Sequence, residues 1–95
     1  VMATGHGVGT LCDGGLLINT SRMRGVTVNQ TTQSAKVEAG ALWKDVIPKA
    51  AEHRLAGLAG SASHVGVVGY TMGGGSGWLG RKYGLNSSSV ISADV

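Results

Sequence analysis

Two stretches of the chain alternate apolar and polar residues. Arg24–Val28 sets Val26 and Val28 on one face, and Ala35–Ala39 sets Ala35, Val37 and Ala39 against Lys36 and Glu38. A period of two marks a strand with one buried face. The polar NQTTQS between them reads as a turn, so the pair is predicted to form a hairpin. After Gly40 the spacing changes. Over Ala41–Ala56, Leu42, Val46, Ala50 and His53 join Trp43, Ile47 and Ala51 in a broad helical face at intervals of three and four. Pro48 interrupts it. A proline inside a helix loses one hydrogen bond and clashes one turn back, which predicts a kink or a helix whose regular part starts near Pro48. Elsewhere Val1–Thr4 reads as the end of a strand, Gly15–Thr20 as a run of strand length, and Ser88–Val95 as a strand with one buried face. Gly66–Tyr70 and Trp78–Tyr83 fit short helical turns, and Leu55–Ser63 a loop of small residues.

Glycine changes this picture. In Val65–Gly80, VGVVGYTMGGGSGWLG, seven of sixteen residues are glycine, and each costs roughly 0.5–1 kcal/mol inside a regular element relative to alanine. Either backbone packs on backbone there, or a ligand lies against bare N–H groups. A second cluster, Gly5-His6-Gly7-Val8-Gly9, favours the ligand: two backbone-exposing loops suit a long, phosphate-bearing molecule gripped at two places.

Composition narrows the class. Ninety-five residues make one domain, its core aliphatic because there is no Phe and only two Trp and two Tyr. The net charge of +3 comes from scattered basic residues, without the basic stripe and interleaved aromatics of a nucleic-acid surface. A small anionic ligand fits better. The single Cys12 has no disulfide partner and reads as a small structural residue. No apolar run has the length of a membrane span and no signal peptide is visible, which favours the cytoplasm. The chain opens and closes inside what read as strands, so a piece of a longer protein is expected.

Gly75-Ser76-Gly77-Trp78-Leu79-Gly80 is a literal GxGxxG with Asp94 downstream, the spacing of a dinucleotide-binding unit. Its place argues against that alternative, because the fingerprint should follow a first strand and open a helix. Ser76 lacks the second glycine of a nucleophile elbow. No convincing ligand set for a metal is present. His53 and His64 read as ordinary polar residues, whereas His6, held between glycines, can point along a bound ligand.

Taken together, ATGHG, DGGLLINTSRM, VEAGALWKDVI and VGVVGYTMGGGSGWLGRKYGLNSSSVISADV resemble the FAD-binding (PCMH-type) domain of the vanillyl-alcohol oxidase superfamily. They are more narrowly similar to the berberine-bridge-enzyme-like and bacterial FAD-linked oxidases. The resemblance spans essentially the whole chain. It implies an α+β fold, short strands with one main helix, forming part of a larger two-subdomain FAD module whose separate substrate domain covers the flavin. It also implies that Ala3, Thr4, Gly5, His6 and Gly7 wrap the FAD pyrophosphate through backbone N–H groups from Ala3 to Gly7. Val65, Gly66, Gly69, Tyr70, Gly74 and Gly75 form the second contact region, and Val90 lies on a strand passing near the cofactor. His6 matches the histidine that many relatives bond to the flavin 8α-methyl group.

Three positions depart from the family pattern. Met2 stands where relatives often carry Arg, Ala62 where bicovalent relatives carry Cys, and Gly69-Tyr70 where GGH is common. The implied function is FAD binding within an oxidase or dehydrogenase that passes hydride from a substrate carbon to flavin N5. The competing expectation is a non-catalytic or self-associating domain without flavin. A homo-oligomer is expected from the unpaired strand edges at Val1 and Val95.

Overall fold

The computed structural model describes every residue from Val1 to Val95. The predicted hairpin forms: β1 (Val26–Asn29) and β2 (Ser34–Val37) pair antiparallel, with Val26 opposite Val37 and Val28 opposite Ala35. In the turn, the Asn29 carboxamide oxygen accepts the Thr32 N–H at 3.1 Å.

The main helix, α1, runs from Trp43 to Ala51, shorter than the periodicity predicts and not starting near Pro48. Its start is set by Asp45, whose carboxylate accepts the Leu42 N–H at 2.9 Å and so satisfies a donor left over by the first turn. Pro48 is tolerated because it and Lys44, the residue whose carbonyl loses its partner, both face solvent. The end is set by Arg54, which takes φ 57° while Leu55 N–H reaches back to the Ala50 carbonyl at 3.0 Å. That left-handed residue and backward bond form a Schellman-type stop. The buried face is narrower than expected. Trp43, Val46 and Ala50 are inside, whereas Ile47 and Ala51 are exposed.

Arg24 locks this helix start to the hairpin. Its Nε and Nη2 donate to the two Asp45 carboxylate oxygens at 3.0 and 2.7 Å. Partial burial disfavours the Asp45 charge, but the Arg24 guanidinium and the Leu42 N–H outweigh it and hold the carboxyl below its ordinary 3.8. A depressed folded-state pKa means stability that is present above the unfolded value, about 3.9, and lost as pH falls through the folded one. Asp45→Asn is therefore expected to cost about 1 kcal/mol at neutral pH, screened by the half-exposed arginine. It should also flatten the loss of stability below about pH 4. Urea titrations at pH 7 and pH 3 check both, and equal losses at the two pH values would contradict the assignment.

Two short helices follow, α2 (Val67–Met72) and α3 (Gly80–Tyr83), and then a 3-10 turn over Asn86–Ser89. The core is small: Val26, Ala41, Trp43, Val46 and Val67, with Val28, Val37, Ala59, Val65 and Tyr70 packed around it. The expected strand over Ser88–Val95 is absent. Nothing in the chain runs alongside to pair its N–H and C=O groups, and Ile91 stands 84% exposed. Val1–Thr4 and Gly15–Thr20 are not strands either, and meet in one parallel bridge between Met2 and Asn19. Neither Val1 nor Val95 lies on a strand.

A ladder of backbone contacts carries the N-terminal segment to α2. Met2 N–H donates to the Ile18 carbonyl at 2.8 Å and Thr20 N–H to the Met2 carbonyl at 3.0 Å. Gly40 N–H donates to the Met23 carbonyl at 2.7 Å. Val67 N–H donates to the Ala41 carbonyl at 3.0 Å, and Trp43 N–H to the Val65 carbonyl at 3.1 Å. The two glycine clusters, from opposite ends of the chain, are brought together across Gly40.

Candidate functional site

Where they meet lies a cleft of about 210 Å³ lined by Val1–Val8 and by Val65, Gly66, Gly69 and Tyr70. The absence of a side chain at Gly66 sets the closeness of the walls. A Cβ there would already lie 3.4 Å from Thr4 Cγ2 and 3.6 Å from Ala3 Cβ. Gly5 and Gly7, at φ 70° and 75°, turn the first loop around His6 in a conformation that L side chains disfavour. The Thr4 hydroxyl accepts the His6 N–H at 3.1 Å, and the Gly5 carbonyl accepts the Val8 N–H at 3.1 Å.

The remaining donors decide what the cleft can hold. The N–H groups of Ala3, Thr4, Gly5 and Gly7 make no hydrogen bond within the chain, nor do those of Gly66, Val68 and Gly69. His6 departs from the expectation that every N–H from Ala3 to Gly7 faces the ligand, because its own is taken by Thr4. No Asp, Glu, Lys or Arg lines the cleft. Unpaired N–H groups around a concavity free of carboxylates form an anion receptor.

Nine of the residues singled out from the sequence line this one cleft: Ala3, Thr4, Gly5, His6, Gly7, Val65, Gly66, Gly69 and Tyr70. Tyr70 does so with its ring edge-on to Trp43 at 5.5 Å, its hydroxyl buried without a partner, and burial raises that phenol above its ordinary value. Gly74, Gly75 and Val90 lie outside. Gly75 is buried, and a Cβ there would stand 2.6 Å from Asn86 Cβ and 2.8 Å from Tyr70 Cε1. Its neighbour in the GxGxxG, Gly77, would meet the Ala59 carbonyl oxygen at 2.2 Å. These two glycines are closed in by neighbours, side chains at Gly75 and the Ala59 backbone at Gly77, whereas Gly69 has nothing within 4 Å of its missing Cβ. The glycine-rich stretch thus holds both closely packed and open positions. Val90 is exposed along a separate apolar groove beside β2 and Leu55–Leu58.

One residue that the sequence reading set aside belongs here. The His64 ring lies against His6, centroids 5.1 Å apart and planes at 64°. Only its position next to Val65 could have hinted at this.

Residues 1–95, the whole chain, match the family model described as FAD binding domain. The chain belongs to that family. Among relatives of this FAD-binding domain is an FAD-linked oxidoreductase of Dictyostelium discoideum, 37% identical over 95 residues, which cover 100% of this chain and 21% of the relative. The Arabidopsis thaliana protein berberine bridge enzyme-like 22 is 35% identical over 82 residues, 82% of this chain and 15% of its own length. A crystal structure of 6-hydroxy-D-nicotine oxidase from Arthrobacter nicotinovorans superposes with a TM-score of 0.73 at 30% identity, covering 77% of this chain and 16% of that one. The resemblance to FAD-linked oxidases is borne out, as is the mixed strand and helix fold. The chain spans about a fifth of the length of the curated relatives it matches. Its cofactor is FAD, and its donor set fits that molecule: a dianionic diphosphate suits a carboxylate-free ring of backbone N–H groups.

Proposed function

We propose that the cleft holds the FAD diphosphate, with Ala3, Thr4, Gly5 and Gly7 donating from one wall and Gly66 and Gly69 from the other. The observation that carries this reading is that two backbone segments whose N–H groups have no partner line one concavity. Met2 leaves the lining without a cation, so the backbone supplies the attraction. In the larger flavoprotein a bound flavin would supply two-electron redox chemistry, the acceptance of hydride from a substrate carbon. This chain binds and orients the cofactor, and the substrate-facing residues belong to a separate domain.

His6 is the proposed tether to the flavin 8α carbon. Its backbone is pinned by Thr4 and turned by Gly5 and Gly7, and its side chain is exposed beside the cleft. Acid precipitation followed by a visible spectrum tests it. Flavin is expected to stay with the precipitated parent protein and to appear in the supernatant of His6→Ala, with binding before precipitation retained. Flavin still attached in the variant would place the link elsewhere.

Surface composition supports a larger assembly. Leu16 and Trp78 are 86% and 82% exposed, and no large side chain is fully buried. Such apolar surface is covered by the remaining parts of a flavoprotein, and in the isolated chain it favours self-association.

A further inference from the structure

Resting on the reading of His6 as the attachment point, we infer that His64 is the positioning residue that orients the His6 imidazole and accepts its proton when the flavin bond forms. The two rings make an edge-to-face contact, centroids 5.1 Å apart, at the rim of the cleft. Both residues are exposed, so a rotation of either ring about its side-chain bonds can bring a nitrogen of one toward a nitrogen of the other. With no Asp, Glu, Lys or Arg in the lining, the His64 imidazole is the side-chain base that lies against His6. The Thr4 hydroxyl is engaged with the His6 backbone N–H, and the Tyr70 hydroxyl is buried in the packing around Gly77.

A His6 ring nitrogen bonds to the flavin 8α carbon while one C–H bond at that carbon and the His6 N–H bond break. The electron pair of the C–H bond enters the flavin ring, leaving it reduced by two electrons. The His6 proton passes to His64, the carbon's proton to solvent, and the reduced ring draws its own protons from solvent. Dioxygen then reoxidises the flavin and leaves as hydrogen peroxide. Two adjacent imidazoles, one attacking and one accepting, divide this work without any charged side chain in the cleft.

The test mixes flavin-free protein with FAD in air and follows acid-stable flavin with time, for the parent, His64→Ala and His64→Gln. His64→Ala is expected to bind FAD as the parent does and to attach it roughly 100-fold more slowly, the scale of one positioned proton acceptor. Imidazole added to the buffer should restore part of that rate, a response that a packing role would not give. His64→Gln, which keeps bulk and polarity but is not a base, should remain slow. Attachment at the parental rate in His64→Ala overturns the inference and leaves the His6 tether standing. A slow rate that imidazole does not raise overturns proton acceptance, and loss of FAD binding in His64→Ala overturns the positioning role. A parent with no acid-stable flavin overturns the His6 reading and this one together.

Discussion

Gly40→Ala is expected to destabilise the protein by about 3 kcal/mol or more and to abolish FAD binding with it. A Cβ at Gly40 would stand 1.9 Å from the Thr20 carbonyl oxygen and 2.8 Å from that of Met23. Both are backbone atoms, so no rotamer change can relieve the overlap. Relief requires the Asn19–Met23 segment to move off Gly40, breaking the bond from Gly40 N–H to Met23 and the one from the Thr20 hydroxyl to the Ala39 carbonyl. That segment holds Met2 in place and with it the first wall of the cleft. Urea denaturation followed by the fluorescence of Trp43, which is 3% exposed, reads the stability. Gly80→Ala, with nothing within 4 Å, is the control and should be neutral or slightly stabilising. A Gly40→Ala variant within about 1 kcal/mol of the parent would mean that the crossing is loose and the ladder is not what joins the loops.

Gly69→Val should do the opposite, removing FAD and sparing the fold. The position is helical, its missing side chain points into open space, and valine is a better helix residue than glycine. In the free protein the substitution costs nothing by contact. With FAD present, the branched side chain occupies the cleft beside the unpaired Gly69 N–H. An overpacking cost of about 1–3 kcal/mol corresponds to a loss of roughly 5- to 150-fold in affinity. Titration of the flavin-free protein with FAD, read by flavin fluorescence, measures it alongside an unchanged urea midpoint. Unchanged affinity would move the diphosphate out of this cleft. Gly75→Val cannot make the same distinction, because it collides with Asn86 and Tyr70 whether or not a ligand is present.

Much of the fold was legible where the information is local. Val26 and Val28 against Val37 and Ala35 form the expected hairpin because period-two patterning and a polar turn act over a few residues. The α1 core face follows from spacing, but its limits do not. Asp45 starts the helix by reaching back three residues, and Arg54 ends it by taking a conformation usually left to glycine. Ser88–Val95 has the same kind of alternation as the hairpin and is no strand, since a strand exists only where a second one pairs with it. Gly40 read as the end of a strand, and nothing in its neighbourhood announces that Thr20 crosses over it.

By itself the sequence carried, in four motifs, the resemblance that implied the family and its cofactor, and its glycines around His6 and after Val65 marked the two segments that meet at the cleft, because they constrain the backbone wherever they fold. The tertiary structure alone decided which glycines are closed in by packing and which stand open beside the cleft. That choice depends on what lies within 4 Å of an absent Cβ: open space for Gly69, the Ala59 carbonyl for Gly77. It also decided that His64 stands beside His6, although the two lie in distant parts of the chain. Their meeting is set by the backbone ladder through Met2, Thr20, Gly40 and Val67, whose bonds are the same for almost any side chain and so leave little trace in residue types.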